Sequence, residues 1–124
     1  MAVEYSSVLK DLDINFEVIG RGLKSASLFT KKSGYSAITS GIENVIKSKK
    51  APYFAIVAVG VKNLLETTIL LANSGTKKIL VEKPCALNLN ELKRLQEISK
   101  ENNVKISIGY NRRFFSSVKT LKNL

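Results

Sequence analysis

Seven consecutive apolar residues, Tyr53 to Val59, closed by Gly60, restrict this chain more than any other stretch. The run has strand length and is β-branched at Ile56, Val57 and Val59, the composition of a central strand of a sheet. A second apolar run, Ile79-Leu80-Val81, stops at Glu82, Lys83 and Pro84: a carboxylate, an ammonium and a ring that cannot continue a ladder. Such strands belong to parallel sheets packed by helices, and those sheets take ligands beyond their strands' carboxyl ends. Lys83 would stand at that edge.

Helix signals fall between the runs. Ser40 precedes Glu43, Asn63 precedes Glu66 and Asn88 precedes Glu91, each pair at the spacing of a capping box. The first would open a helix through Ile42, Val45 and Ile46 to about Lys49, and the second a helix through Ile69, Leu70 and Leu71 that closes at Gly75. The third would bury Leu92, Leu95 and Ile98 and fade at Asn102-Asn103. Phe16 to Ile19 reads as a first short strand before a Gly20-Arg21-Gly22 turn and a polar stretch; Lys78 to Glu82 and Val104 to Ile108 complete a set of four. Strands alternating with segments of crossover length predict an α/β, doubly wound parallel sheet, Rossmann-like in class. Ser7 to Leu12 reads as the end of a helix. A nucleotide fold of this class opens with a strand and a glycine-rich turn, so the expectation over residues 1 to 124 is a partial domain lacking both.

A chain of 124 residues is one domain's worth, able to form a core without disulfides. No apolar tract reaches 18 residues, so no transmembrane helix is expected. The amino terminus has neither the basic start nor the apolar block of a secretory signal, and the expected compartment is the cytoplasm; a single cysteine, Cys85, agrees. Twenty Lys and Arg against ten Asp and Glu give a net charge of +10, which suits nucleic acid, phosphorylated metabolites or nucleotide cofactors. The pairs Lys31-Lys32, Lys49-Lys50, Lys77-Lys78 and Arg112-Arg113 are scattered, with few aromatics among them, and read as solvated charge rather than a nucleic-acid patch. Histidine is absent, which excludes a histidine base, a Ser-His-Asp triad and any histidine metal ligand in this chain; no metal site is expected. Cys85, beside a proline and without an activating neighbour, is expected to be inert.

Taken alone, Lys83 is either a solvated lysine after a buried strand or a crevice lysine that donates protons or hydrogen bonds. Asn111, Arg112 and Arg113, following Gly109, are either a charged surface turn or a hold for anionic or hydroxyl-rich ligands. Phe114 and Phe115 read as packing or interface residues.

Val81-Glu82-Lys83-Pro84, a capped helix, and then Ile108-Gly109-Tyr110-Asn111-Arg112-Arg113-Phe114 at this separation resemble two segments of the Gfo/Idh/MocA oxidoreductases. The resemblance implies a Rossmann-like cofactor domain and NAD- or NADP-dependent oxidation or reduction of a sugar, cyclitol or related polyol. Carried over by position, it makes Lys83 the catalytic lysine that contacts substrate and nicotinamide ribose. It sets Glu82 beside that ribose, Asn111 and Arg112 near nicotinamide or substrate, and Val59 and Gly60 where a loop wraps the cofactor. Val59-Gly60 stands in place of the family's usual Thr-Pro, and Leu64 where histidine is common. Gly20 occupies the place of an acidic residue that grips the adenosine ribose, and Arg21, with Lys24 and Ser25 close behind, favours a 2'-phosphate and therefore NADP over NAD. The resemblance further implies a chain incomplete at both ends, without a substrate domain and inactive alone. Two alternatives stay open: a noncatalytic nucleotide-fold interaction module, which could form homo-oligomers, and a small basic nucleic-acid-binding protein.

Overall fold

The computed structural model describes residues 1–122, which fall into two compact units, one of residues 1–51 and one from residue 52 onward. The fold is α/β with parallel sheets, as the alternation of signals predicts. The strand inventory differs: among the described residues five strands form two sheets, not four strands one sheet.

The second unit holds the sheet β3-β4-β5, built from β3 (Phe54–Val57), β4 (Lys78–Val81) and β5 (Lys105–Ile108), all parallel. Ala55, Ile79 and Ile106 stand level across it, as do Val57, Val81 and Ile108, and side chains two apart share a face. Val57, Ile79 and Val81 of that face are buried. Helix α4 (Leu64–Asn73) packs on β3, β4 and helix α5 (Leu89–Glu101), burying Leu64, Thr68, Ile69, Leu71 and Ala72. β3 is shorter than the apolar run around it. Tyr53 and Phe54 are exposed and Ile56 is half-buried, and the expectation of a central strand fails, since β4 and not β3 is the middle strand of its sheet. Phe54 and Ile56 stand level with Lys78 and Leu80 of β4, a row less buried than the Val57, Ile79 and Val81 face.

Capping chemistry separates the three boxes read from the sequence. Asn88 Oδ1 accepts from the Glu91 N–H at 2.9 Å, and Glu91 reaches back to Asn88 Nδ2 at 3.1 Å and the Leu87 N–H at 2.7 Å. That arrangement is worth about 1 kcal/mol. Asn63 stands at the start of α4 but its side chain caps nothing, because a 3-10 turn, Val61–Asn63, already leads into the helix. Helix α5 buries Leu95, leaves Ile98 half-buried and exposes Leu92, a narrower stripe than its periodicity suggests.

The carboxyl end of α4 closes at Gly75, which is left-handed at φ +101°. The Gly75 N–H donates to the Ala72 carbonyl and the Thr76 N–H to that of Leu71, the paired bonds of a Schellman motif. Thr76 is fully buried there, and among the described residues its Oγ1 has no hydrogen-bond partner. A buried hydroxyl without a partner costs about 1–3 kcal/mol. Thr76→Val, of nearly the same shape, should therefore raise Tm by several degrees in a thermal melt; a lower Tm would mean that the hydroxyl is satisfied in solution.

The first unit contains α1 (Ala2–Asp11), β1 (Val18–Ile19), α2 (Leu23–Ser33), β2 (Ala37–Ile38) and α3 (Ile42–Ser48), with β1 and β2 paired in parallel. Helix α1 is a full ten residues where only an end was expected. Helix α2 and β2 occupy the stretch read as polar. The start of α3 is Gly41, at φ +79°, and not Ser40, so that box is not formed. Phe16 lies outside β1 and packs its ring on Tyr35, 4.8 Å between centroids. No helix among the described residues is long and apolar enough to cross a membrane.

Candidate functional site

In the second unit the register ends all three strands level, at Val57, Val81 and Ile108. The segments leaving the strands therefore emerge side by side along one edge. The Glu82 N–H donates to the Val57 carbonyl and the Gly109 N–H to that of Val81, both at 2.9 Å, so each emerging segment is tied to the neighbouring strand by its backbone.

After β3, Val59 is half-buried and Gly60 exposed, and the Gly60 carbonyl accepts from the Asn63 N–H at 2.8 Å. After β4, alternation divides the pair: Glu82 is 7% exposed while Lys83 is turned to solvent. The Glu82 Oε2 accepts from the Lys83 N–H at 3.3 Å. The Lys83–Pro84 peptide is cis, and Cys85 beyond it is buried. After β5, Asn111–Phe114 form a 3-10 turn in which the Asn111 N–H donates to the Gly109 carbonyl at 3.0 Å. Asn111, Arg112 and Arg113 are exposed there, and the Arg113 guanidinium lies 5.2 Å from the Phe114 ring centre. Val59, Gly60, Glu82, Lys83, Asn111 and Arg112 thus share one sheet edge. The edge offers an ammonium, two guanidinium groups and an amide to solvent, over one buried carboxylate.

Cys85 lies just behind this edge. Burial pushes its thiol up from the ordinary cysteine value, a backbone hydrogen bond offsetting only part of the effect. A protonated, covered thiol is a poor nucleophile. Alkylation by iodoacetamide at pH 7.5 should be at least tenfold slower in the folded chain than in urea; equal rates would contradict this assignment.

Arg21 and Ser25 belong to the first unit. The Gly20 N–H donates to the Ile38 carbonyl at 2.8 Å, completing the pairing of β1 and β2 and placing Arg21 at the carboxyl end of β1. Arg21, Lys24 and Ser25 are all exposed. Ser25 Oγ donates to the Gly22 carbonyl at 3.1 Å, and no side chain caps the helix start. The N–H groups of Leu23, Lys24 and Ser25 have no partner within the helix by its geometry, and they lie among Arg21 and Lys24. Sequence reading missed these donors along with α2. The signal available was Ala26, Phe29 and Ser33 at helical spacing ahead of Gly34, the left-handed residue that ends the helix.

Residues 12–110 match the oxidoreductase family with an NAD-binding Rossmann fold, Gfo/Idh/MocA. The chain belongs to this family. Solved structures share the fold of this chain. An oxidoreductase from Agrobacterium radiobacter, in complex with NAD+, L-tartaric acid and magnesium, superposes with a TM-score of 0.84 at 16% identity, over 98% of this chain and 36% of its own. The WlbA dehydrogenase from Chromobacterium violaceum, in complex with NADH and UDP-GlcNAcA, gives 0.82 at 13% identity, over 98% and 35%. A probable dehydrogenase from Thermotoga maritima gives 0.79 at 24% identity, over 96% and 36%. The chain thus spans about a third of the length of these oxidoreductases. A search of the curated proteins gives no match.

Proposed function

We propose that this chain is a cofactor-binding part of an NADP-dependent oxidoreductase acting on a sugar, cyclitol or related polyol. One observation carries the reading. Three parallel strands end level and present Lys83, Asn111 and Arg112 beside the buried Glu82, at the edge where sheets of this class take nucleotides. The nicotinamide group, when bound, supplies the hydride chemistry. Lys83 would hold the reacting hydroxyl and move its proton, while Glu82 orients the nicotinamide ribose. Asn111 and Arg112 would hold hydroxyl or anionic groups, and Val59-Gly60 would border the cofactor.

The preference for NADP rests on the β1–α2 turn. Arg21 and Lys24 supply positive charge, Ser25 a hydroxyl and the first turn of α2 free amides, a set suited to a phosphate dianion. Gly20 offers no carboxylate to repel it. Replacing both Arg21 and Lys24 by Ala should weaken NADPH binding by about 10- to 100-fold in a fluorescence titration and leave NADH within about twofold. Equal losses for the two cofactors would refute the phosphate assignment.

We also propose that this 124-residue chain does not turn over substrate by itself, since it spans a third of the oxidoreductases it resembles. Titration with NADPH, on this chain and on a polypeptide extended at both ends, tests the reading as a whole. Measurable binding by the longer form with turnover of a polyol supports it; no binding by either form rejects it.

A further inference from the structure

The amino-terminal edge of the three-stranded sheet, opposite the candidate site, gathers charge that looks scattered in the sequence. Lys78 stands level with Phe54 on one side and Lys105 on the other, so the three share a row on the same face. The next row on that face is Ile56, Leu80 and Ser107. Phe54 is 49% exposed, Tyr53 66%, and Lys77, Lys78, Lys105 and Ser107 are all exposed. The Lys78 ammonium lies 5.5 Å from the centre of the Tyr53 ring, and the Lys105 N–H donates to the Lys77 carbonyl at 2.9 Å. Adjacent strands are about 4.8 Å apart, so Lys78, Lys105 and the Phe54 ring stand together on one face, with the Tyr53 ring beside the Lys78 ammonium and Lys77 one position earlier at the same edge of the sheet.

Counter-charge is sparse. Residues 52 to 124 hold twelve Lys and Arg against five Glu. Glu82 is at the opposite end of β4, Glu91 is engaged at the start of α5, and Glu66 pairs with Arg94 at 2.7 Å. Glu97 and Glu101 lie on α5, which packs on α4 rather than on this row.

We propose that this amino-terminal edge and face bind single-stranded nucleic acid. Lys77, Lys78 and Lys105 track the phosphates, and Phe54 and Tyr53 stack on bases. Lysines beside aromatic rings also suit an anionic membrane interface, so anionic vesicles are the competing occupant that the test includes. The combination of a basic groove with aromatic platforms is the usual means of holding a strand without reading its sequence. Hydrophobic Ile56 and Leu80 extend the platform toward the sheet centre.

The test is fluorescence anisotropy of the full chain with a labelled twelve-nucleotide oligo(dT) across a salt series. Three phosphate contacts predict a slope of log K against log salt of about −2. Changing Lys77, Lys78 and Lys105 together to Gln should bring that slope close to zero, and Phe54→Ala should weaken binding by about fivefold or more while Phe54→Leu weakens it less. The lysines are exposed, and circular dichroism of each variant verifies the fold. Saturating NADPH should leave oligonucleotide binding unchanged, because the proposed cofactor edge is at the other end of the strands. Competition by NADPH, a slope unaffected by the triple change, insensitivity to Phe54→Ala, or equal affinity for phosphatidylserine vesicles would each overturn the proposal. Apart from the competition with NADPH, these results do not depend on whether the chain binds the cofactor.

Discussion

Lys83→Met should lower kcat about 10²- to 10⁴-fold in any longer polypeptide in which this chain turns over a polyol. That range is what a positioned proton donor or acceptor contributes. Lys83 is exposed, so its aliphatic stem supports no core, and stability should stay within about 0.5 kcal/mol of the parent. NADPH affinity should change little, since the contact matters most where the proton moves. Lys83→Arg keeps the charge but replaces a compact ammonium with a larger planar guanidinium, and should preserve cofactor binding without rescuing rate. Steady-state kinetics paired with a cofactor titration separates these effects. Undiminished kcat in Lys83→Met would remove the residue from the reaction and return it to the surface lysines.

The second large effect belongs to the packing behind the edge. Leu64 is 1% exposed in the first turn of α4, the helix that lies on β3 and β4. Leu64→Ala should cost about 2–5 kcal/mol, from the lost transfer energy and from the cavity left behind. Against a total stability of about 5–15 kcal/mol that is a large share. Urea denaturation should show a lower midpoint with an unchanged slope, while Leu64→Met, which keeps the volume, should lose less than about 1.5 kcal/mol. A small loss in Leu64→Ala would mean that α4 closes the gap by shifting on the sheet.

Both predictions concern the half of the chain whose architecture the sequence displays most openly. β3, β4 and β5 were legible because their apolar runs are dense and end at Gly60, Glu82 and Gly109, and parallel pairing then sets those ends side by side. The candidate edge followed from the same pattern. Boundaries were less legible. Tyr53, Ala58 and Val59 are apolar enough for a strand, yet the ladder with β4 covers only Phe54 to Val57.

The first unit was harder to read for physical reasons. Helix α2 has no acidic residue in its first turn and no side-chain cap, and its apolar stripe is thin, with Ala26 its only buried residue. β2 has two residues, too short for periodicity to register. Ser40 and Glu43 had the right spacing, but Gly41 takes the left-handed φ at the helix entry and displaces the box by one position. Spacing alone did not separate this pair from Asn88 and Glu91; backbone conformation did. Lysine pairs such as Lys77-Lys78 also changed meaning once the register set them beside Lys105 and Phe54.

The backbone bonds that hold Glu82 to β3 and Gly109 to β4 carry a consequence for how such an edge diversifies. Position along the edge is secured by main-chain atoms, which every residue possesses, while Lys83, Asn111 and Arg112 project from it into solvent. Exchanging those side chains disturbs no buried contact. A lineage can therefore try new groups at the edge, one substitution at a time, without passing through an unfolded intermediate.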